Sequence, residues 1–264
     1  MKDDDLVGDA EYYSAFAARA RQQYDQTYAA RYREGDDRGI NFPSHTDFGS
    51  LLTEVSMSFD RPIAVLDLGC GTGRYFHSLK NLKSLTGVDV SLDMLRLARH
   101  PVRESHITAP VTLLCANIVE VHFVDETFDL IYSIGVMGEF LPFDGYLCEK
   151  VARMLKRGGR FVFTTVDKCS PRETSWKRKA AEMLIPILPI RLQRFFRVRL
   201  RSLELSEADL RAIVDQTGWS SYTIMSRVSS TSGRRHLVCV ANKGGQQSFE
   251  GLSKFFEFSG TSPR

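Results

Sequence analysis

The 264-residue chain lacks the features that mark several classes of protein. It has no apolar run long enough to cross a bilayer, and no apolar region follows its acidic start, so we expect neither a membrane span nor a signal peptide. Its five cysteines form no C-x-x-C pair, which argues against a zinc site or a disulfide framework and predicts reduced thiols in a cytoplasm. The net charge of +3 is too small to indicate a nucleic-acid-binding protein by itself.

The most informative stretch that is present runs from 65 to 75 and reads V-L-D-L-G-C-G-T-G-R-Y. Its three glycines follow an apolar strand over 63–68 and precede a predicted helix over 74–82. Glycine lets the loop turn tightly and lets a ligand approach the backbone, and a helix N-terminus favours an anion. A dinucleotide fingerprint, G-x-G-x-x-G, would need glycine where Arg74 or Phe76 stands, and the Gly-Lys-Ser/Thr of a phosphate loop is absent.

The rest of the chain alternates strands with helices, which predicts an α/β protein with a parallel sheet. The predicted strands after the first cover 84–89, 111–115, 128–133, 160–166, 220–227 and 235–240, the last two as an antiparallel pair. The predicted helices among them cover 92–99, 144–155 and 207–217, and the glycines at 158–159 are interpreted as the cap that ends the second of these.

The stretch V-L-D-L-G-C-G-T-G resembles the first motif of class I S-adenosylmethionine-dependent methyltransferases, in particular small-molecule enzymes such as the ubiquinone and menaquinone methyltransferases. The resemblance covers roughly 60–242. It implies a Rossmann-like, seven-stranded, mostly parallel sheet with the last strand antiparallel and helices on both faces. It also implies S-adenosylmethionine as cofactor, no metal, and a transferase (EC 2.1.1.-) that methylates an O, N or C atom of a small molecule.

The same resemblance assigns cofactor roles to residues at the ends of the first two strands. Gly69, Gly71 and Gly73 bring the backbone against the methionine part of the cofactor, and Asp67 organises that loop and the cofactor's amino group. Asp89 ends the second strand and is predicted to hold the ribose, because a carboxylate offers two oxygens to the two hydroxyls.

Three further cofactor contacts follow strands three and four. Asn117 stands where the family most often has an acid. Its carbonyl oxygen can accept a hydrogen bond from the adenine amino group without the charge. The backbone of Ile118 borders adenine, and Ser133 lies where the family places contacts to the methionine end.

The residues that follow strand four suggest a catalytic base. Many small-molecule members have His-His where this chain has Gly138-Glu139, which makes Glu139 the nearest base, with Asp167 and Tyr28 as weaker candidates. Such a base assists a hydroxyl acceptor. The histidines are interpreted as packed or exposed side chains rather than bases: His77, His122 and His236.

An N-terminal helical cap is predicted for residues 1–59, with helices over 10–33 and 46–56. Tyr24, Tyr28 and Tyr32 share one face of the first helix because they recur every four residues. Two interpretations stay open: a stripe packed on the domain, or a lid over cofactor and substrate. Similar methyltransferases build such a lid with a Tyr-Asp pair, here Tyr24-Asp25.

The methyltransferase domain is predicted to span 60–243, with a lid-like insert over 168–205 and a tail over 244–264. Within the insert, 176–184 can be helical, and 191–201 carries five arginines and no acid. That arginine segment is a solvated flank, a lid over an anionic or apolar substrate, or a patch that rests on a membrane surface or an acidic partner.

Three functions remain open at this level. The leading one is a small-molecule methyltransferase. The second is an RNA methyltransferase that uses the arginine segment, although no separate RNA-binding module is visible. The third is a protein that binds S-adenosylmethionine without transferring its methyl group.

Overall fold

Seven strands form one sheet in the order β3-β2-β1-β4-β5-β7-β6. The computed structural model describes residues 3–39, 43–170, 203–228 and 234–244, together with 183–184, 187–189 and 192. The strands are β1 (Ile63–Leu68), β2 (Leu82–Asp89), β3 (Val111–Cys115), β4 (Phe128–Ser133), β5 (Leu155–Val166), β6 (Ser221–Val228) and β7 (Arg235–Lys243). All neighbouring pairs are parallel except those that include β7, so β7 alone runs against the others. This confirms the predicted fold class.

Helices cover both faces of the sheet. They are α1 (Asp3–Gln23), α2 (Gln26–Gly39), α3 (Pro43–Met57), α4 (Leu92–Ala98), α5 (Gly145–Met154) and α6 (Glu207–Asp215). Alternate β1 residues serve opposite cores: Val65 packs with α3 and α4, whereas Leu66 packs with α5 and α6. Because both faces are buried, β4 is apolar along nearly its whole length.

The prediction of a helix over 74–82 is wrong. Only a 3-10 turn over Phe76–Ser78 is present, and β2 already begins at Leu82. Side chains of α3 satisfy the backbone of this short connection. The Thr53 hydroxyl donates to the Ser78 carbonyl at 2.6 Å, and the Ser56 hydroxyl accepts from the Lys80 amide at 2.9 Å. The expectation that a helix N-terminus attracts an anion here therefore fails.

The structure has two helices where a single helix over 10–33 was predicted, because α1 ends at Gln23 and α2 begins at Gln26. The Asp25 carboxylate accepts a hydrogen bond from the Tyr28 amide at 2.8 Å, which begins a new helix. The predicted helix over 46–56 is confirmed as α3, which packs into the core of the sheet. Its buried residues there are Leu51, Leu52 and Val55.

The glycines at 158–159 do not cap a helix as predicted. Helix α5 ends at Met154, and β5 begins at once and contains both glycines, where its pairing with β4 shifts register between Phe128 and Leu130. The positive φ of Gly158, 78°, suits such an irregularity.

The predicted insert leaves and rejoins the sheet at one place, where Asp167 and Leu205 form a parallel bridge. The tail beyond 244, the helix over 176–184 apart from Met183 and Leu184, and the arginine segment apart from Leu192 lie outside the described residues. In the part of the chain that the structure describes, no helix is long and apolar enough to cross a bilayer.

Candidate active site

The glycine loop leaves β1 and lies against its neighbours without space for side chains. Gly69, Gly71 and Gly73 all have positive φ, at 83°, 54° and 74°. A Cβ on Gly69 would lie 2.3 Å from a methyl carbon of Val136, and one on Gly73 would lie 2.7 Å from the Phe76 ring. Both positions therefore require glycine for conformation and for space.

Asp89 joins the glycine loop to the end of β2. One carboxylate oxygen accepts a hydrogen bond from the Gly71 amide at 2.9 Å, and the other accepts from the Ser91 amide at 2.8 Å. Burial raises the pKa of Asp89, and these backbone hydrogen bonds oppose the shift. The carboxylate therefore fixes the loop, and because its two oxygens offer about four lone-pair sites, it can still accept a hydrogen bond from a ligand.

Asp67 is a buried acid next to this carboxylate. Burial raises its pKa to about 8, the Asp89 charge shifts it further in the same direction, and the Tyr132 side chain opposes the rise. Near neutral pH this carboxyl is mostly protonated, and a positive charge placed beside it would favour the ionised form.

The Asn117 side chain forms hydrogen bonds with residues that follow it closely in the chain. Its amide nitrogen donates to Glu120 at 2.9 Å, and its carbonyl oxygen accepts from the Val119 amide at 3.1 Å. The side chain thereby caps the turn after β3. Asn117 and Ile118 are both buried, so the oxygen predicted to meet adenine already holds one hydrogen bond within the protein.

Two other predicted residues bond to the protein itself. The fully buried Ser133 hydroxyl donates to the Leu68 carbonyl at 2.7 Å and so links the ends of β4 and β1. An oxygen of Asp167 lies 2.6 Å from a guanidinium nitrogen of Arg235, and the other accepts from the Cys169 amide. Asp167 does not line the cavity described next. Its contacts are with Arg235 and Cys169, so this weaker base candidate stabilises the protein at the start of the insert.

A cavity of about 390 Å³ begins at the end of the glycine loop. Residues from several parts of the chain line it: Tyr24, Tyr28, Tyr32, Asp47, Phe48, Arg74, Tyr75, Ile134, Gly135, Glu139, Phe140, Thr164, Arg227, Val228 and His236. It therefore joins the N-terminal helices to the carboxyl ends of β4 and β5 and to the β6–β7 pair. The carboxyl edge is where ligands bind in open α/β sheets.

Glu139 enters this cavity from a tight turn. Gly138 precedes it with φ of 70°, and a Cβ there would lie 3.0 Å from the Thr165 Cβ. Burial raises the pKa of Glu139 to about 7, with Arg234 lowering it and Glu204 raising it to smaller extents. A carboxyl group with this pKa can both accept and release a proton at neutral pH.

One oxygen of Glu139 lies 3.5 Å from the Nδ1 atom of His236, which is half-buried across the cavity. That oxygen is buried and makes no hydrogen bond. Burial and the nearby Arg234 lower the pKa of His236, so the imidazole is mostly neutral at pH 7. The predicted base therefore has a buried oxygen to which the protein supplies no hydrogen-bond donor.

The three tyrosines and Phe140 form a continuous surface that we call the aromatic wall. Ring centroids are 5.2 Å apart for Phe140 and Tyr24, 4.8 Å for Tyr24 and Tyr28, and 6.0 Å for Tyr28 and Tyr32. The guanidinium of Arg74 lies 4.3 Å from the Tyr32 centroid. The tyrosine face thus lines the cavity, which is the geometry that the lid interpretation requires.

Helix α2 is attached to the glycine loop by a buried ion pair. The carboxylate of Asp36 accepts from the Thr72 hydroxyl and from the Arg74 guanidinium. Arg33 donates to the Leu97 carbonyl at 2.5 Å, and the Ser91 hydroxyl donates to the Tyr24 carbonyl at 2.6 Å. These contacts hold the aromatic wall beside the loop.

Several lining residues were missed by the sequence interpretation. His236 was set aside as a packed or exposed side chain, yet it faces Glu139. Arg74 directly follows Gly73, and that adjacency was the available signal. Thr164 and Arg227 carry no local pattern that marks them. His77 and His122 are not among the residues that line the described cavity.

Residues 65–159 match the family described as a methyltransferase domain. Among curated relatives, the chain is 37% identical over 102 residues to a demethylmenaquinone methyltransferase from Lactiplantibacillus plantarum, which covers 37% of this chain and 43% of the relative. It is 30% identical over 159 residues to a malonyl-[acyl-carrier protein] O-methyltransferase from Marinomonas, which covers 58% of this chain and 56% of the relative. The chain thus spans about half the length of these relatives.

Solved structures show the same fold at low identity. A phosphoethanolamine N-methyltransferase 2 from Haemonchus contortus, in complex with phosphomonomethylethanolamine and S-adenosylhomocysteine, superposes with a TM-score of 0.61 at 17% identity. That match covers 85% of this chain and 59% of the other. A magnesium protoporphyrin IX methyltransferase from Synechocystis gives a TM-score of 0.59 at 14% identity, covering 86% and 99%. Residues 65–159 therefore match a methyltransferase domain family, and the chain shares the fold of these solved methyltransferases.

Proposed function

We propose that this chain is a methyltransferase that uses S-adenosylmethionine to methylate a small molecule. The observation that carries the proposal is the position of the cavity, which begins where the glycine loop ends and holds a carboxyl group with a pKa of about 7. The methyltransferase domain match and the names of the relatives support the reaction class.

The residues present fit a cationic nucleoside cofactor. The glycine loop gives the close backbone approach, and Asp89 would hold the ribose with the lone pairs that its backbone hydrogen bonds leave. Asp67 is a buried carboxyl whose raised pKa a nearby cation would lower, which suits the amino group and the sulfonium. The Ile118 backbone and Asn117 would border adenine, and Ser133 would hold β4 against β1.

When bound, S-adenosylmethionine supplies a methyl group that its sulfonium has already activated. The protein then has to hold the acceptor in line with that carbon, and such placement can contribute roughly 7–11 kcal/mol. The aromatic wall and Phe48 would exclude water from the acceptor. Glu139 would take the acceptor's proton, an effect of about 10²–10⁴ in rate.

A small-molecule acceptor suits the cavity, since volumes of about 300–1,000 Å³ are usual for such ligands. The cavity has both apolar rings and charged groups, which fits an acceptor with an apolar part and a charged part. A cytoplasmic location is also proposed, and it is supported by five cysteines that all have free thiols. Contact of the arginine segment with a membrane surface stays a prediction.

Calorimetry with S-adenosylmethionine and S-adenosylhomocysteine tests the cofactor site. We expect Asp89→Asn to weaken binding more than tenfold, whereas Asp125→Asn, at an exposed acid in a surface turn, should leave it unchanged. Equal binding by both variants would remove Asp89 from the site.

Transfer of a tritiated methyl group into quinone, lipid, natural-product and RNA pools tests the reaction. Label in a small-molecule pool supports the proposal. Label confined to RNA would instead identify an RNA methyltransferase, and cofactor binding with no transfer would identify a protein that binds S-adenosylmethionine for another purpose.

A further inference from the structure

The cavity has carboxyl groups that could bind a positively charged ligand. Two carboxylates line it, those of Glu139 and Asp47. Of the two lining guanidinium groups, Arg74 is already paired with the buried Asp36. His236 is mostly neutral, because burial and Arg234 lower its pKa. Arg227 also lines the cavity and lies opposite His236 on the next strand, and the positive charge of Arg234 acts on Glu139 from nearby.

The unbonded oxygen of Glu139 defines what the cavity lacks. It is buried, and it receives no hydrogen bond from the protein. A buried acceptor without a donor is costly, so a ligand that brings an N–H or O–H group to this point is favoured. A ligand that also brings positive charge would compensate the carboxylate itself, which a neutral alcohol or phenol cannot do.

The aromatic wall adds a second preference for positive charge. Aromatic faces attract cations within about 6 Å, and Arg74 already uses one end of the wall in this way at 4.3 Å from the Tyr32 ring. Towards the other end, Tyr24 packs against Phe140, the residue next to Glu139. Rings and carboxyl group therefore line the same part of the cavity.

We infer that the methyl acceptor is an amine, bound as its ammonium form between Glu139 and the aromatic wall. The inference rests on the proposed methyl transfer and names its substrate class. Asp47 adds negative charge to the same cavity.

The chemistry balances with the groups present. The Glu139 carboxylate takes one proton from the ammonium and frees the nitrogen lone pair. The nitrogen then attacks the methyl carbon. An N–C bond forms, the S–C bond breaks, and its electron pair stays on sulfur, which becomes a neutral thioether. The methylated product carries the positive charge, and Glu139 later releases its proton to water.

Four small probes of similar shape test the substrate class on the full chain with S-adenosylhomocysteine bound: 2-phenylethylamine, 2-phenylethanol, 4-ethylphenol and 3-phenylpropanoate. We expect the amine to bind at least tenfold more tightly than each of the others. In the presence of tritiated S-adenosylmethionine it should also be the preferred acceptor. Equal affinity for the four probes, or preference for the phenol, the alcohol or the acid, would overturn the inference.

Variants separate this site from the cofactor site. Glu139→Gln should abolish the preference for the amine and leave affinity for S-adenosylhomocysteine within twofold, while Glu149→Gln, at an exposed position of α5, should change neither. Tyr28→Phe should keep the preference and Tyr28→Leu should reduce it. If Glu139→Gln instead weakens S-adenosylmethionine but not S-adenosylhomocysteine, the carboxylate serves the sulfonium and the inference fails. Absent binding of S-adenosylhomocysteine to the unaltered chain would count against the proposed function itself.

Discussion

Replacing Asp36 with alanine should destabilise the protein and loosen the attachment of α2 to the glycine loop. The Asp36 carboxylate is 1% exposed and accepts from the Thr72 hydroxyl and the Arg74 guanidinium. Without it, Arg74 keeps its charge in a site where the side chain is only 19% exposed. The next residue, Asp37, is exposed and provides a matched control on the same helix.

The expected magnitude follows from the burial. Removing one partner of a buried ion pair typically costs about 3–5 kcal/mol, because the other charge is left uncompensated. The residual exposure of Arg74 places the expected loss at the lower end, about 3 kcal/mol. For a protein of this size, that loss corresponds to a fall in Tm of roughly 6–12 °C.

Urea unfolding followed by circular dichroism measures the loss, and calorimetry with S-adenosylhomocysteine measures its effect on the loop. Asp37→Ala should change the free energy of unfolding by less than about 0.5 kcal/mol. A double variant, Asp36→Leu with Arg74→Met, removes both charges and should recover most of the stability. A loss below 1 kcal/mol for Asp36→Ala, or an equal loss for Asp37→Ala, would refute the assignment of this pair.

Three other outcomes are expected. The pKa of Glu139 is about 7 in the folded state against a usual 4.5, so the stability that its protonated form contributes is present below pH 4.5 and lost as pH rises through 7. Relative to the unaltered chain, Glu139→Gln should therefore raise the free energy of unfolding by roughly 3 kcal/mol at pH 8 and leave it unchanged at pH 4. Urea unfolding at both pH values measures this difference. Gly69→Ala should abolish cofactor binding because its Cβ would meet Val136, whereas Gly35→Ala, with open space in α2, should stabilise by about 0.5–1 kcal/mol; retained calorimetric affinity in Gly69→Ala would contradict the close-approach argument. Ser133→Ala should lower the free energy of unfolding by about 1 kcal/mol, because the hydrogen bond to Leu68 is lost, and should leave cofactor affinity unchanged. A tenfold larger dissociation constant for the cofactor would instead show that Ser133 contacts it.

Local patterns in the sequence were sufficient to predict the position of most strands of the sheet. The apolar runs that become β1 and β4, and the acid that ends β2, are properties of short segments, so they can be interpreted without knowledge of the rest of the chain. The helix expected after Gly73 failed for a nonlocal reason. Hydroxyl groups of α3 satisfy the backbone there, and no pattern within 74–82 indicates that another helix will do so.

By itself, the sequence determined the methyltransferase-like motif, the alternation of strands and helices, and the residues that lie at the carboxyl ends of the strands. Only the tertiary structure decided which of those side chains remain available. It engaged Asn117 and Ser133 in hydrogen bonds within the protein, paired Asp167 with Arg235, and brought His236 to 3.5 Å from Glu139 across 97 positions of the chain. The physical reason is that periodicity is set by neighbours along the chain, whereas the environment of a side chain is set by whichever strands and helices the crossovers place beside it.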